Sequence, residues 1–485
     1  MTEQLKLKLS DSKAFRWSAL LIVSFTMMCG YFMTDVMAPL EDLLTTKGQV
    51  VYYEDGSFEK VENAISVQST KAVDATLDGL GWSSTEYGFF TGAYGYFNVF
   101  LVMLLLGGII LDKMGVRFTG TMSSLLMFGG ALIKYWAISP YFTLEGSLFG
   151  FSYQVLFACL GFAIFGVGAE ITGITVSKVI VKWFTGHELA LAMGLQVAMA
   201  RIGTGIALGF SLPIAKAMGH LSQSVLLGAI ALCIGFLFYM VYCVMDRKLD
   251  ASAASTVTAS DEDKFKLSDI KFIVTNKGFW LITFLCLLFY SGVFPFLKFA
   301  VKVMIYKYNV EPSLAGYIPM MLPFGCILLT PVFGSLYDRI GKGATLMVIG
   351  SIMLVFVHLC FTLPILEYWW FALLLVIVLG VAFSLVPSAM WPSVPKIIPQ
   401  KQLGSAYSLI FYIQNIGLSM VPLLIGWVID HFAKTTAADG TVGYNYTVPL
   451  SIFMIFGILS VVVALLLKAE NKRKGYGLEE ANIQK

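Results

Sequence analysis

The sequence predicts an all-α membrane protein with twelve transmembrane helices in two pseudo-symmetric halves of six. Three observations predict it. Of 485 residues, 58% are hydrophobic and only 13% charged, which is too apolar for a water-soluble globule. Apolar segments of about twenty residues recur along the chain, each long enough to cross a bilayer as a helix. A polar cluster also recurs at equal spacing: Gly108, Asp112, Lys113 and Gly115 reappear as Gly334, Asp338, Arg339 and Gly341. The closing cation of the first cluster, Arg117, is answered by Lys342, one place early.

A basic N-terminal tail, residues 1–16, leads into the first apolar run, Trp17 to about Leu40. That run is longer than the core of a cleavable signal and reads as the first span. Asp35 lies near its outer end, where a solvated carboxylate is the ordinary reading; a place on the pathway or a proton site is the alternative. Residues 41–86 form a polar insertion with nine acids against Lys47, Lys60 and Lys71, a balance that favours the external side. Within it, VVYYEDGSFEKV predicts a hairpin turning at Asp55-Gly56, read as an external decoration.

The second span is predicted at Tyr87 to Leu111, with Tyr94 and Tyr96 placed to line a cavity or to pack. Spans three to six follow at about 118–139, 151–181, 188–217 and 222–245, which closes a first half over 17–245. Residues 246–276 read as a cytoplasmic linker: ASAASTVTASDEDK is poor in large apolar side chains, and KLSDIKFIVTNKGFW has the spacing of an interfacial helix. Six further spans, at about 277–306, 313–336, 343–365, 368–395, 402–432 and 447–468, form the second half, 277–468, before a tail at 469–485. Lys298 and Lys302 lie toward the outer end of the seventh span; snorkelling to water is the ordinary reading for each. Lys134, Lys216 and His358 are expected to have structural or interfacial roles. Pro387, Pro392 and Pro395 should bend the tenth span.

Basic residues set the orientation. Lys113, Arg117, Lys182, Arg339, Lys342, Lys396 and the C-terminal lysines share a side with the N-terminus, so both termini are expected in the cytoplasm. The seven cysteines all fall in apolar segments without metal-site spacing, so neither a disulfide framework nor a metal site is expected. No enzyme motif, cofactor site or nucleic-acid surface is found.

Two ionisable residues stand deep in spans four and five. Counted from Thr185 in the turn between them, Glu170 lies 15 residues before and Arg201 lies 16 after. At ~1.5 Å per residue each is about 23 Å from the turn, so they share one depth. Intramembrane charges are costly and are functional candidates by default. Two readings stay open: a salt bridge joining the helices, or a site for a charged ligand.

The paired clusters resemble the signature loops of the major facilitator superfamily, whose members are built from repeated halves. A register of i to i+214 adds support, pairing Gly166 with Gly380, Lys182 with Lys396 and Gly203 with Gly417. It sets Glu170 opposite Ser384 and Arg201 opposite Asn415, which predicts one ionic wall and one hydrogen-bonding wall. GAEITGITVSKVIVKWFTGHELALAMGLQVAMARIG and SAMWPSVPKIIPQKQLGSAYSLIFYIQNIG are similar to the lysosomal dipeptide-transporter branch and its bacterial relatives.

The resemblance implies a major facilitator fold and alternating-access transport of dipeptides by uniport. It implies that Glu170 and Arg201 handle the ligand's charged ends, with Lys302 as a further cation. Gln196, Gln414, Asn415, Ser384 and Tyr94 complete the expected substrate site. Glu170 and Asp35 are candidate proton sites. Gly108, Asp112, Arg117, Gly334, Asp338 and Arg339 are the expected gating loops, with Asp112 latching near Gln402 and Asp338 near His187 and Glu188. The first span departs from the branch's usual tyrosine-aspartate-proline run, since Asp35 is followed by Val-Met-Ala-Pro39. The alternatives are a carrier of organic anions or amino acids, with or without proton coupling, and a ligand sensor that does not transport. A monomer in a bacterial inner membrane is expected, with small-molecule substrate and lipid as partners and an accessory subunit left open.

Overall fold

The computed structural model describes residues 11–61, 71–184, 188–253, 273–399, 402–436 and 442–481. Among the described residues, eleven helices are long and apolar enough to cross a membrane, or twelve if one bent pair counts as a single span. In the first half these are α1 (Lys13–Asp35), α3 (Ser84–Phe100), α4 (Met103–Ile138), α5 (Tyr153–Phe184), α6 (Leu189–Met218) and α7 (Ser222–Ala253), with a short α2 (Glu41–Thr45) after α1. In the second they are α8 (Lys277–Tyr308), α10 (Tyr317–Ile340), α11 (Gly343–Thr362), α12 (Trp369–Ile397), α13 (Leu403–Val428) and α14 (Thr447–Lys474), with a short α9 (Pro312–Ala315). The interfacial helix expected near 266–276 falls largely outside the described residues.

The second span differs from the continuous helix predicted at 87–111. It is bent by 58° between Phe100 and Met103, where Val102 takes the left-handed conformation at φ 55°. Of the four signature glycines, the last in each cluster takes a positive φ. Gly115 (φ 76°) breaks α4 and Gly341 (φ 67°) ends α10, a backbone that other residues adopt at a cost.

The insertion is more than a decoration. The predicted hairpin exists as β1 (Gln49–Tyr53) and β2 (Phe58–Val61), turning through Gly56. A third strand, β3 (Val73–Asp78), pairs antiparallel on the other side of β1, giving the order β2-β1-β3. Val50, Tyr52 and Leu77 are buried in the main core. Lys216 of α6 pairs with Asp74, and the Lys60 ammonium lies 5.1 Å over the Tyr306 ring of α8. The sheet therefore touches both halves at one end of the bundle, here called the sheet end. The opposite end, where α1 begins and α14 finishes, is the terminal end.

The halves meet closely at the sheet end. Asp430 accepts from the backbone N–H groups of Ser84 (2.9 Å) and Thr85 (2.6 Å), so a second-half carboxylate caps the start of α3. Tyr87 Oη donates to the Lys298 carbonyl at 2.8 Å. Deeper in the bundle Tyr412 Oη of α13 donates to the Val99 carbonyl of α3 at 3.1 Å, a further link between the halves. At the terminal end the described ion pairs stay within one half. Arg16 meets Glu188 at 2.9 Å, Lys182 meets Asp246 at 2.8 Å, and Arg473 meets Glu470 at 2.7 Å. A Cβ added at Gly194 of α6 or at Gly334 of α10, both toward the terminal end, would have open space around it. The bundle is thus closed at the sheet end and looser toward the terminal end.

The three prolines of α12 do not interrupt it. A proline frees the carbonyl four residues earlier, which needs a new partner in a membrane. Pro395 frees the carbonyl of Trp391, and Tyr407 Oη of the neighbouring α13 donates to it at 3.2 Å.

Candidate functional site

Two close helix approaches assemble the site. A side chain at Gly166 of α5 would collide with the Tyr94 carbonyl of α3, and one at Gly203 of α6 with the Met28 carbonyl of α1. Small residues at such crossings let backbones touch. The first approach sets Tyr94 beside Glu170, and Tyr94 Oη donates to Glu170 Oε1 at 2.8 Å. The second brings Arg201 over the Tyr31 ring, with the guanidinium carbon 5.8 Å from the ring centre. Tyr31 also lines the cavity of about 80 Å³ that holds Glu170, together with Met27, Gly30, Thr34, Tyr94 and Met127. Both charged groups are half-buried.

Glu170 and Arg201 form no ion pair with each other, and Arg201 has no hydrogen bond among the described residues. This corrects the salt-bridge reading for this conformation: Tyr31 stands between the acid and the base. The Arg201 guanidinium rests instead on aromatic faces, 5.6 Å from the Phe294 centre and 5.2 Å from that of Phe383. Stacking of this kind satisfies the faces of a guanidinium while leaving its in-plane N–H donors available.

The hydrogen-bonding wall expected of the second half is not what the structure presents. The Ser384 hydroxyl donates to the Gly380 carbonyl at 2.8 Å and is fully buried. Asn415 donates to the Phe411 carbonyl at 3.0 Å and packs against Gly95, and Gln414 accepts from the Cys286 thiol at 3.4 Å. The hydrogen bonds these groups make stay in their own half, as those of short hydroxyl and amide side chains in helices commonly do, while Asn415 Oδ1 has no hydrogen bond among the described residues. What faces Arg201 is aromatic. Gln196 is half-buried on α6, toward the terminal end, without a hydrogen bond among the described residues.

Lys302 is not brought to the Glu170 cavity. It is fully buried at the sheet end, 2.8 Å from Thr45 Oγ1, 3.5 Å from Glu41 Oε1 and 4.4 Å from the Tyr444 ring centre. Lys298 lies 2.6 Å from Asp35 and 2.8 Å from the Thr34 carbonyl. Neither lysine snorkels and Asp35 is not a solvated helix end, because each finds a countercharge across the interface between halves. Asp42 joins the cluster, accepting from Lys60 (2.7 Å) and from Tyr306 Oη (2.8 Å). Burial pushes the Lys60 ammonium down from its ordinary range. Lys134 donates to the Met33 carbonyl at 3.0 Å and His358 Nε2 lies 2.8 Å from the Gly292 carbonyl, both structural roles as expected. A larger recess of about 390 Å³ at the sheet end is lined by Trp82, Glu86, Phe142 and Glu145, apart from Glu170 and Arg201.

The first signature loop engages its own half. Arg117 reaches Asp246 at 3.0 Å and Asp250 at 2.5 Å, and Lys182 of α5 meets the same two carboxylates at 2.8 and 2.7 Å. Asp246, which the sequence reading puts at the start of a linker, is a buried helical residue, and α7 continues to Ala253 around this contact. Gly108 and Gly334 have open space around them, Arg339 is exposed, and Asp338 has partners. The Asp112 side chain and His187 lie outside the described residues. In the second loop, backbone N–H groups of Lys342 and Gly343 donate to the carbonyls of Glu479 and Leu478 at 3.0 and 2.8 Å, so the segment after α14 folds back onto it.

Comparison with known proteins agrees with this architecture. The family model described as Major Facilitator Superfamily matches residues 20–422. The human lysosomal dipeptide transporter MFSD1 is 26% identical over 449 residues, covering 89% of this chain and 86% of that protein. Chicken MFSD1 is 29% identical over 282 residues, 56% of this chain and 62% of that protein. A crystal structure of the nucleoside transporter NupG superposes with a TM-score of 0.64 at 16% identity, covering 94% of this chain and 99% of that one.

Proposed function

The chain belongs to the major facilitator superfamily and is a membrane transporter of that family, and we propose that its substrate is a dipeptide, carried by uniport through alternating access. The observation that carries this reading is the separation of Glu170 from Arg201 across Tyr31. A dipeptide zwitterion has an ammonium at one end and a carboxylate at the other, and each needs a partner once out of water. Glu170, steadied by Tyr94, suits the ammonium; the free in-plane donors of Arg201 suit the carboxylate. The name of the MFSD1 relatives supports the same substrate class.

In this reading the terminal end faces the cytoplasm, in a bacterial inner membrane, because basic residues gather there. The conformation is then the inward-open one, with the sheet end shut. In the opposite state Asp112 would meet the start of α13 near Gln402, and Asp338 would approach His187 and Glu188. An unchanged balance of states in Asp112→Asn would refute that latch.

The test is thermal unfolding of wild type, Glu170→Gln and Arg201→Ala with amino acids, dipeptides, tripeptides and organic acids, since a ligand of the folded state raises its stability. Dipeptides should raise the melting temperature of wild type alone. Stabilisation by organic acids that persists in Glu170→Gln would overturn the substrate. Counterflow of labelled dipeptide into sealed vesicles separates a carrier from a ligand sensor.

A further inference from the structure

The second half turns a continuous aromatic surface toward Arg201. Phe294 lies 5.2 Å from Phe383 and 5.4 Å from Tyr290, ring centre to centre. Tyr290 lies 6.5 Å from Trp391, which stacks on Phe411 at 5.0 Å. The indole donor of this surface is spent within it: Trp391 Nε1 donates to Tyr290 Oη at 3.2 Å. Phe294, Trp391 and Phe411 stay half-buried, so part of each ring is open. A mainly apolar face is left, with the buried Tyr290 hydroxyl as its remaining donor.

We infer that this aromatic wall is the subsite for the C-terminal side chain of the substrate and selects a planar ring there. The inference rests on the dipeptide reading, with the carboxylate on Arg201 and the ammonium on Glu170. The Arg201 guanidinium is stacked on Phe294 and Phe383, so a carboxylate bound at its edge lies beside the same rings. The side chain on the adjacent α-carbon is then within a few bonds of the wall. Offset or edge-on contact with an aromatic ring adds to what burial alone supplies. At the other end the cavity around Glu170 measures about 80 Å³ and is bounded by Met27, Tyr31 and Met127. A dry cavity that takes benzene is about 150 Å³. The ammonium end therefore suits a small side chain, and the site reads the order of the two residues.

The isomers Ala-Phe and Phe-Ala test this, because composition, charge and hydrophobicity match and only the order differs. Their apparent affinities, with Ala-Ala as reference, would be measured by thermal stabilisation and by competition for counterflow in proteoliposomes. Wild type should bind Ala-Phe about tenfold tighter than Phe-Ala. In Phe294→Leu the advantage of Ala-Phe over Ala-Ala should shrink about threefold to tenfold, and Phe294→Tyr, which keeps the ring, should restore it. Equal affinity for the isomers, or a preference for Phe-Ala, would overturn the inference while leaving a dipeptide carrier standing. If none of the three, Ala-Ala included, binds or competes, the dipeptide reading falls and the subsite falls with it.

Discussion

The Lys298 ammonium lies 2.6 Å from the Asp35 carboxylate, tying α8 to α1 across the interface between halves. Both side chains are largely buried, so loss of one partner strands the other in a poorly solvated place. Asp35→Asn or Lys298→Met should weaken closure at the sheet end by about 3–5 kcal/mol, the range for breaking a buried pair. Distances between spin labels on the two halves at that end should lengthen in either variant. The double variant should lie nearer wild type, as it leaves no uncompensated charge. Unchanged distances in both single variants would refute this pair as a closing contact.

Asp246 gathers α4, α5 and α7 at the terminal end, accepting from Arg117, Lys182 and Tyr242. Its cations are both partly exposed and can return to water, which limits the loss from Asp246→Asn. We expect about 1.5–3 kcal/mol, the range for hydrogen bonds to a charged group, and a lower melting temperature. Asp250→Asn, at an exposed carboxylate touching the same two cations, should change stability far less. Equal effects of the two substitutions would refute Asp246 as the centre of the contact.

Hydropathy made the spans readable because a bilayer demands long apolar helices whatever their packing. The signature glycines were readable because a left-handed backbone restricts the residue type, as at Gly115 and Gly341. Glu170 and Arg201 stood out because charge is rare in such segments. The partner of Asp35 was not readable, since it lies 263 residues away on another helix. Asp246 was lost to a linker for the same reason, its cations coming from α4 and α5. Ser384 and Asn415 misled in the other direction. Position on a facing helix said nothing of whether a hydroxyl or amide was already spent on a carbonyl of its own helix. β3 was missed because VDATLD buries only Leu77 of its six residues, too little alternation to read as a strand.

His220 supplies a pH dependence at the sheet end. Its Nδ1 accepts from the Ser222 backbone N–H at 3.1 Å, at the start of α7, where a positive charge opposes the helix dipole. Burial pushes the imidazole down from its ordinary value of 6.5. The unfolded chain therefore binds this proton at a higher pH than the folded one. Stability is fully present above about 6.5 and declines as pH falls from there toward the folded value. His220→Asn keeps a side-chain acceptor without titrating, so its melting temperature should vary less between pH 7 and pH 5. Parallel curves for the two proteins would refute the assignment.

Glu41 and Lys302 give the sharpest separation between a closing contact and a substrate contact. Neither Glu41 oxygen has a hydrogen bond among the described residues, and Lys302 is its ion-pair partner at 3.5 Å. Both side chains are fully buried, and the pair sits beside Thr45 and Tyr444 at the sheet end. Lys302→Met fills the space of the stem but leaves the Glu41 carboxylate without a countercharge. The loss should be about 3–5 kcal/mol of the closed-sheet state, seen as a lower melting temperature and a wider sheet end. Glu41→Gln combined with Lys302→Met should recover most of it, because the burial of an unpaired charge is then gone. Stabilisation by dipeptide should persist in the double variant, since Glu170 and Arg201 are untouched. If Lys302→Met instead keeps its melting temperature and loses dipeptide binding, Lys302 belongs to the substrate site and the pairing is incidental.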